Sequence, residues 1–178
     1  MFRFGPSSSK YTVYDVVVYL IKRLGGRVKG VKKLMKLVFL IQYERRNDRV
    51  IKYVFKGKPI TKAEFYIWSY GPLSNEVYEV IDERLRVDDS DVPVIIKLPT
   101  FNINRSEKIL PEQVKKRIDY IVEKYGDLHG FELEKISLEL LELDELKKSE
   151  YMGSSVDNYI RDIFGKDKFE IVDLAEEH

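Results

Sequence analysis

Val31-Lys32-Lys33-Leu34-Met35-Lys36-Leu37-Val38-Phe39-Leu40-Ile41-Gln42-Tyr43-Glu44-Arg45-Arg46 is the stretch on which the fold turns. Val31, Leu34, Leu37, Val38 and Ile41 recur at the i, i+3, i+4 spacing of one helical face. Met35, Phe39 and Leu40 carry apolar surface around most of the cylinder. A helix apolar on so many sides is enclosed by other elements. The spacing therefore predicts a central helix over residues 31–46. Lys36 lies off the stripe, but its neighbours along the helix are Phe39 and Leu40, so partial cover is expected.

The flanking sequence supplies the elements that would enclose it. Thr12 and Asp15 have capping-box spacing, and Val13, Val16, Val17, Leu20, Ile21 and Leu24 line a helix that Gly25-Gly26 stops. Residues 25–30 read as a joint between two helices. Residues 50–56 alternate as a strand does, with Ile51, Tyr53 and Phe55 on one face. Phe65 to Tyr70 is aromatic and extended, and Gly71-Pro72 breaks it. Ser74 caps a helix carrying Val77, Val80, Ile81 and Leu85. A strand is expected over 92–98, and Pro111 opens a helix along Val114, Ile118, Ile121 and Tyr125. An acidic, leucine-rich helix is expected from Phe131 to Lys148, then a short helix ending at Phe164 and a strand near 169–174. The fold class is α+β and mostly helical, with a central helix packed by other helices and a small antiparallel β element. The expected organisation is a flexible lead-in at 1–10, a helical domain at 11–148 and a C-terminal appendage at 149–178.

Composition excludes several chemistries. The chain has no cysteine, so it has no disulfide, thiolate or Cys-based zinc site. Its two histidines are His129 and His178, too few for a His-rich metal centre. His129 falls between two helices and reads as a loop residue. Gly25 to Gly30 lacks the Gly-Lys-Ser/Thr ending of a phosphate loop and follows a helix. Carboxylate pairs such as Asp82 and Glu83 read as solvated faces. The expectation is a protein without metal, cofactor or catalytic centre. No apolar run reaches the roughly 18 residues of a membrane span, and no small-residue cleavage site follows Val16–Ile21. The expected location is cytoplasmic, without a membrane partner. Charged residues make up 34% and glutamine occurs only at 42 and 113, a composition like that of thermophile proteins.

Charge is split along the chain. Residues 1–70 hold 16 Lys/Arg and 4 Asp/Glu, a balance of +12, whereas 71–178 hold 15 and 26, a balance of −11. Either the basic half faces an acidic partner or the halves lie together and neutralise each other. Between Asp15 and Glu44 every charged residue is basic. Arg27, Lys29, Lys32 and Lys33, in or beside the joint, are the candidate partner-binding residues, with the acidic helix near Glu132 to Glu145 as a second candidate surface. The same basic joint followed by a strand pair would also suit nucleic acid, in a winged-helix-like arrangement.

Lys33 to Leu40, the turn Gly57-Lys58-Pro59, Ile67-Trp68-Ser69-Tyr70-Gly71-Pro72-Leu73 and Glu76-Val77-Tyr78 follow one another at fixed spacing. In order and spacing they resemble the Panacea domain family of SocA-like antitoxins and phage-associated proteins, over about residues 12–145. Lys36, Trp68, Tyr70, Gly71, Pro72, Glu76 and Tyr78 fall on the family's motif residues. Met35 stands where the family usually has Gln, and the family's later Thr-His-x-x-x-Trp element has no counterpart near Ile136-Ser137. The resemblance implies a non-enzymatic module that neutralises a toxin by direct contact or delivers it to a protease. Beside it stands the residue-level reading. Trp68 and Tyr70 are large surfaces with few rotors, expected to pack on the Leu34/Val38 face unless they serve a partner. Lys36 either bonds a carbonyl of the Gly71-Pro72 turn or contacts a partner.

Overall fold

The computed structural model describes residues 10–101 and 103–176. All but Lys10 of the expected lead-in, and His178, lie outside the described residues. The fold is α+β: eight helices and three small sheets among the described residues. Helix α1 (Val13–Arg23) leads through β1 (Arg27–Lys29) into α2 (Val31–Gln42). The box at the start of α1 forms through Asp15, whose Oδ2 accepts from Thr12 N–H at 2.8 Å while its Oδ1 takes the buried Ser106 hydroxyl, also at 2.8 Å. Helix α2 is the centre of the core. Every residue from Leu34 to Gln42 is buried, and α5 (Glu112–Tyr125) and α6 (Gly130–Leu140) pack against it together with the neighbouring strands.

The expected elements at both ends of α2 are corrected. The central helix ends at Gln42, and Tyr43–Arg46 is instead a strand, β2, antiparallel to β3 (Arg49–Phe55). The turn between them, Asn47-Asp48, has φ of 51° and 64°, the paired positive angles of a type I′ hairpin. The joint at 25–30 is likewise no loop. Arg27–Lys29 pairs antiparallel with β8 (Ile95–Lys97), which in turn pairs with β7 (Arg86–Asp88). Val28 is buried by this pairing, and the alternation turns Arg27 and Lys29 outward.

The remaining elements are β4 (Lys58–Pro59), the hairpin β5 (Tyr66–Trp68) and β6 (Gly71–Leu73), α3 (Asn75–Arg84), α4 (Ile103–Ile109), α7 (Glu145–Glu150), α8 (Val156–Phe164) and β9 (Phe169–Asp173). Ser74 accepts from Val77 N–H at the start of α3. Pro111 takes the N-cap of α5. The acidic helix expected from Phe131 to Lys148 is two helices. The chain turns at Glu142 (φ 51°), and Asp144 starts α7 by accepting from Lys147 N–H at 2.8 Å. The C-terminal segment lies against the domain: Val156, Tyr159, Ile160 and Phe164 join the core, and β9 pairs parallel with β3.

Candidate functional site

The motif residues divide into a buried frame and an exposed face. The frame begins at Lys36, only 2% exposed. Its Nζ donates to the carbonyl of Pro72 at 2.7 Å, so α2 holds the β5–β6 hairpin from beneath. Burial lowers the ammonium's pKa from 10.5 to about 8, with Glu134 opposing that shift and Lys32 adding to it. Gly71 has φ +92°, and a Cβ there would stand 3.2 Å from Leu138 and 3.7 Å from Lys36 Nζ. A side chain is thus excluded both by backbone conformation and by space. Ser74 N–H points at Met35 Sδ, 3.2 Å away, which gives the departure from the family's Gln a local role as acceptor. Glu76 Oε1 receives Glu64 N–H at 2.8 Å and the Ser74 hydroxyl at 3.0 Å. Lys36, Gly71, Pro72 and Glu76 therefore shape and fasten the hairpin.

The face is what this frame presents. Within the hairpin Ile67 opposes Pro72 and Trp68 opposes Gly71. Ile67 is fully buried and is tied to the C-terminal segment by Ile67 N–H to Ser154 O (2.9 Å) and Gly153 N–H to Ile67 O (2.7 Å). Strand alternation then turns Trp68 out. Trp68 is 40% exposed and Tyr70 62%, so the expectation that both pack away on the Leu34/Val38 face is overturned. Both Leu34 and Val38 are covered by other groups. Tyr78 projects from α3 and is also exposed.

The four basic candidates fare differently. Lys32 Nζ lies 4.6 Å from the Tyr70 ring centroid and 2.6 Å from Glu134 Oε1. Lys33 Nζ donates to Gly126 O at 2.6 Å, and burial lowers its pKa against the pull of Asp127. Both are thereby committed within the fold. Arg27 and Lys29 stand exposed on β1. Lys29, Lys32 and Lys33 border a cleft of about 480 Å³ whose other walls are Gly30, Pro93, His129, Gly130 and Phe131. Close approach of α6 to α2 makes this cleft: a Cβ at Gly130 would lie 3.2 Å from Lys33 N. Phe131 is 70% exposed, its ring parallel to that of His129. The signal that missed Phe131 is its position: it opens an acidic helix, one residue past a loop, where apolar periodicity is silent.

Across Lys32 the hairpin aromatics and the cleft adjoin, giving a rigid, partly apolar face with a positive margin. The chain belongs to the antitoxin SocA-like, Panacea domain family, whose model matches residues 34–140. No curated protein and no solved structure matches it.

Proposed function

We propose that the chain is an antitoxin-like binding module that holds a toxin-like protein by direct contact, without catalysis, on the face of Trp68, Tyr70, Lys32, Lys29 and Phe131. One observation carries this reading: three large aromatic side chains stand exposed on or beside a frame that the buried Lys36–Pro72 hydrogen bond holds from beneath and the Glu64–Glu76 bond fastens at the surface. Aromatic anchors of few rotors lose little entropy on binding and dominate the energetics of protein interfaces. Exposed Arg27 and Lys29 supply a margin that would steer an acidic partner. Delivery of the bound toxin to a protease is a further step that the same grip would permit.

The nucleic-acid alternative needs the second helix of the joint to enter a groove. That helix is α2, buried from Leu34 to Gln42, and the joint is a strand. The alternative therefore lacks a helix free to dock.

The test is co-expression with the product of the adjacent open reading frame, read by growth and co-purification. The expected result is growth arrest by that product alone, relief by this chain, and loss of relief in Trp68→Ala/Tyr70→Ala at unchanged melting temperature. Relief that survives the double substitution would remove the face from the proposal.

A further inference from the structure

We propose that the outer edge of β9 is a self-association site, at which a second copy of this chain adds its own β9 antiparallel across a two-fold axis. The inference is independent of the partner face, and β9 lies outside the residues the family model matches. It begins with the direction of backbone groups. Val50 N–H donates to Lys168 O at 2.9 Å, and Leu174 N–H donates to Val54 O at 3.0 Å. Between these ends the register runs without a bulge from Val50 opposite Phe169 to Val54 opposite Asp173. In a parallel ladder alternate residues turn both groups toward the neighbour. Residues 168, 170, 172 and 174 thus face β3, and the N–H and C=O of Phe169 and Ile171 and the N–H of Asp173 face away, while Asp173 O accepts from Glu176 N–H at 3.1 Å in the turn that follows. Among the described residues no strand pairs with that side.

Proteins usually blunt such an edge with proline, a bulge or a central charge. Here the central residue is Ile171, 59% exposed. Phe169 and Ile171 also line an apolar groove with Arg161, Gly165 and Lys166 at the end of α8. An added strand would find main-chain partners and an apolar seat together.

Charge selects the occupant. The entry to β9 carries the exposed Lys166 and its exit the exposed Glu176, whereas Lys168 is paired with Asp48 and the Asp173 carboxylate accepts from Lys56 N–H and Gly57 N–H. An antiparallel copy sets each basic end against the other's acidic end. A two-fold axis at Ile171 pairs it with itself and Phe169 with the copy's Asp173, so that the outward groups of both strands meet in phase, apart from Asp173 O in its turn. Shifting the pairing by two residues toward the strand entry would set Glu170 against its own copy, like charges face to face.

The chain has no cysteine, which makes the test direct. Ile171→Cys places one thiol on the axis. Opposed residues of this kind have Cα atoms about 5.5 Å apart, inside the roughly 4.4–6.8 Å range of disulfides. Under mild oxidation it should form a disulfide dimer much faster than Val92→Cys, a more accessible control. Sedimentation velocity from micromolar to millimolar protein should show a concentration-dependent dimer for the unsubstituted chain. Ile171→Lys should abolish it, and Ile171→Pro, which removes only an outward N–H, should do so too, with circular dichroism confirming the fold. A chain monomeric throughout, a dimer that survives Ile171→Lys, or equal oxidation of the two cysteine variants would overturn the proposal.

Discussion

Lys36 is a cation placed where burial disfavours its charge, held there by one carbonyl. Because its folded pKa of about 8 lies below the ordinary 10.5, the unfolded chain binds more protons between those values. Stability linked to this group therefore rises as pH climbs through that window. Lys36→Met removes the linkage and leaves Pro72 O without its donor. The stability gap between the two proteins, measured by urea denaturation, should widen steadily from neutral pH toward pH 10; a constant gap would contradict the burial argument. Burial shifts Lys33 and Lys62 the same way, but they are common to both proteins and cancel. Leu34, by contrast, is apolar and fully buried. Leu34→Ala should cost about 2–5 kcal/mol in the same measurement. Both residues are legible in the sequence, Leu34 from periodicity and Lys36 from the apolar neighbours that cover it. Trp68 and Tyr70 are not legible, because aromatic character suits core and surface alike. The register of a three-residue strand decides between them.

At the scale of elements, what ends a segment matters as much as what fills it. Arg117 from α5 closes α2: its Nε donates to Ile41 O and its Nη2 to Leu40 O, both at 2.9 Å, and its Nη1 meets Glu44 Oε1 at 2.6 Å. Burial pushes the Glu44 carboxyl up, yet the Arg117 guanidinium and Tyr53 pull it to a net value below its ordinary 4.5. An ammonium gathers its three N–H groups on one atom and cannot span the three acceptors that the guanidinium fork reaches from Nε, Nη1 and Nη2, so Arg117→Lys should destabilise by about 1–3 kcal/mol. Its effect should exceed that of Lys116→Arg on the exposed side of the same helix. For the β5–β6 hairpin the test is Gly71→Ala, which forces a Cβ into positive φ and against Leu138. A loss of about 1–3 kcal/mol is expected, read from the thermal midpoint. The early end of α2 had a sequence signal, since Asn47-Asp48 is a pair that tolerates positive φ in a tight hairpin. Apolar spacing overruled it because Tyr43 continues the helical stripe. Strand β1 had none: a three-residue strand with one buried side chain has too short a period to register.

At the scale of the whole molecule, the split between basic and acidic halves is partly neutralised inside the fold. Lys22–Glu107, Arg23–Asp119, Lys32–Glu134, Arg45–Glu142, Arg49–Glu170 and Lys52–Asp157 each join a base from the first 70 residues to an acid from the remainder. Most are exposed pairs of small individual worth, but each draws a base away from steering a partner. Beside the aromatic face, Arg27 and Lys29 remain. A charge reversal that included Lys32 would set a new carboxylate against Glu134, whose side chain is only 20% exposed, and would mix a folding defect with a binding defect. Arg27→Glu/Lys29→Glu avoids this. Both side chains point outward from β1, while the core-facing Val28 is untouched. The double variant should change stability by roughly 0.5 kcal/mol or less. With a toxin partner in hand, stopped-flow association should be several-fold slower at low salt, and the difference should close as salt rises, because rim charges act mainly on the encounter. Trp68→Ala should do the reverse, raising the dissociation rate at all salt concentrations. Equal association rates at low salt would show that the basic margin takes no part in docking and leave the aromatic hairpin to act alone.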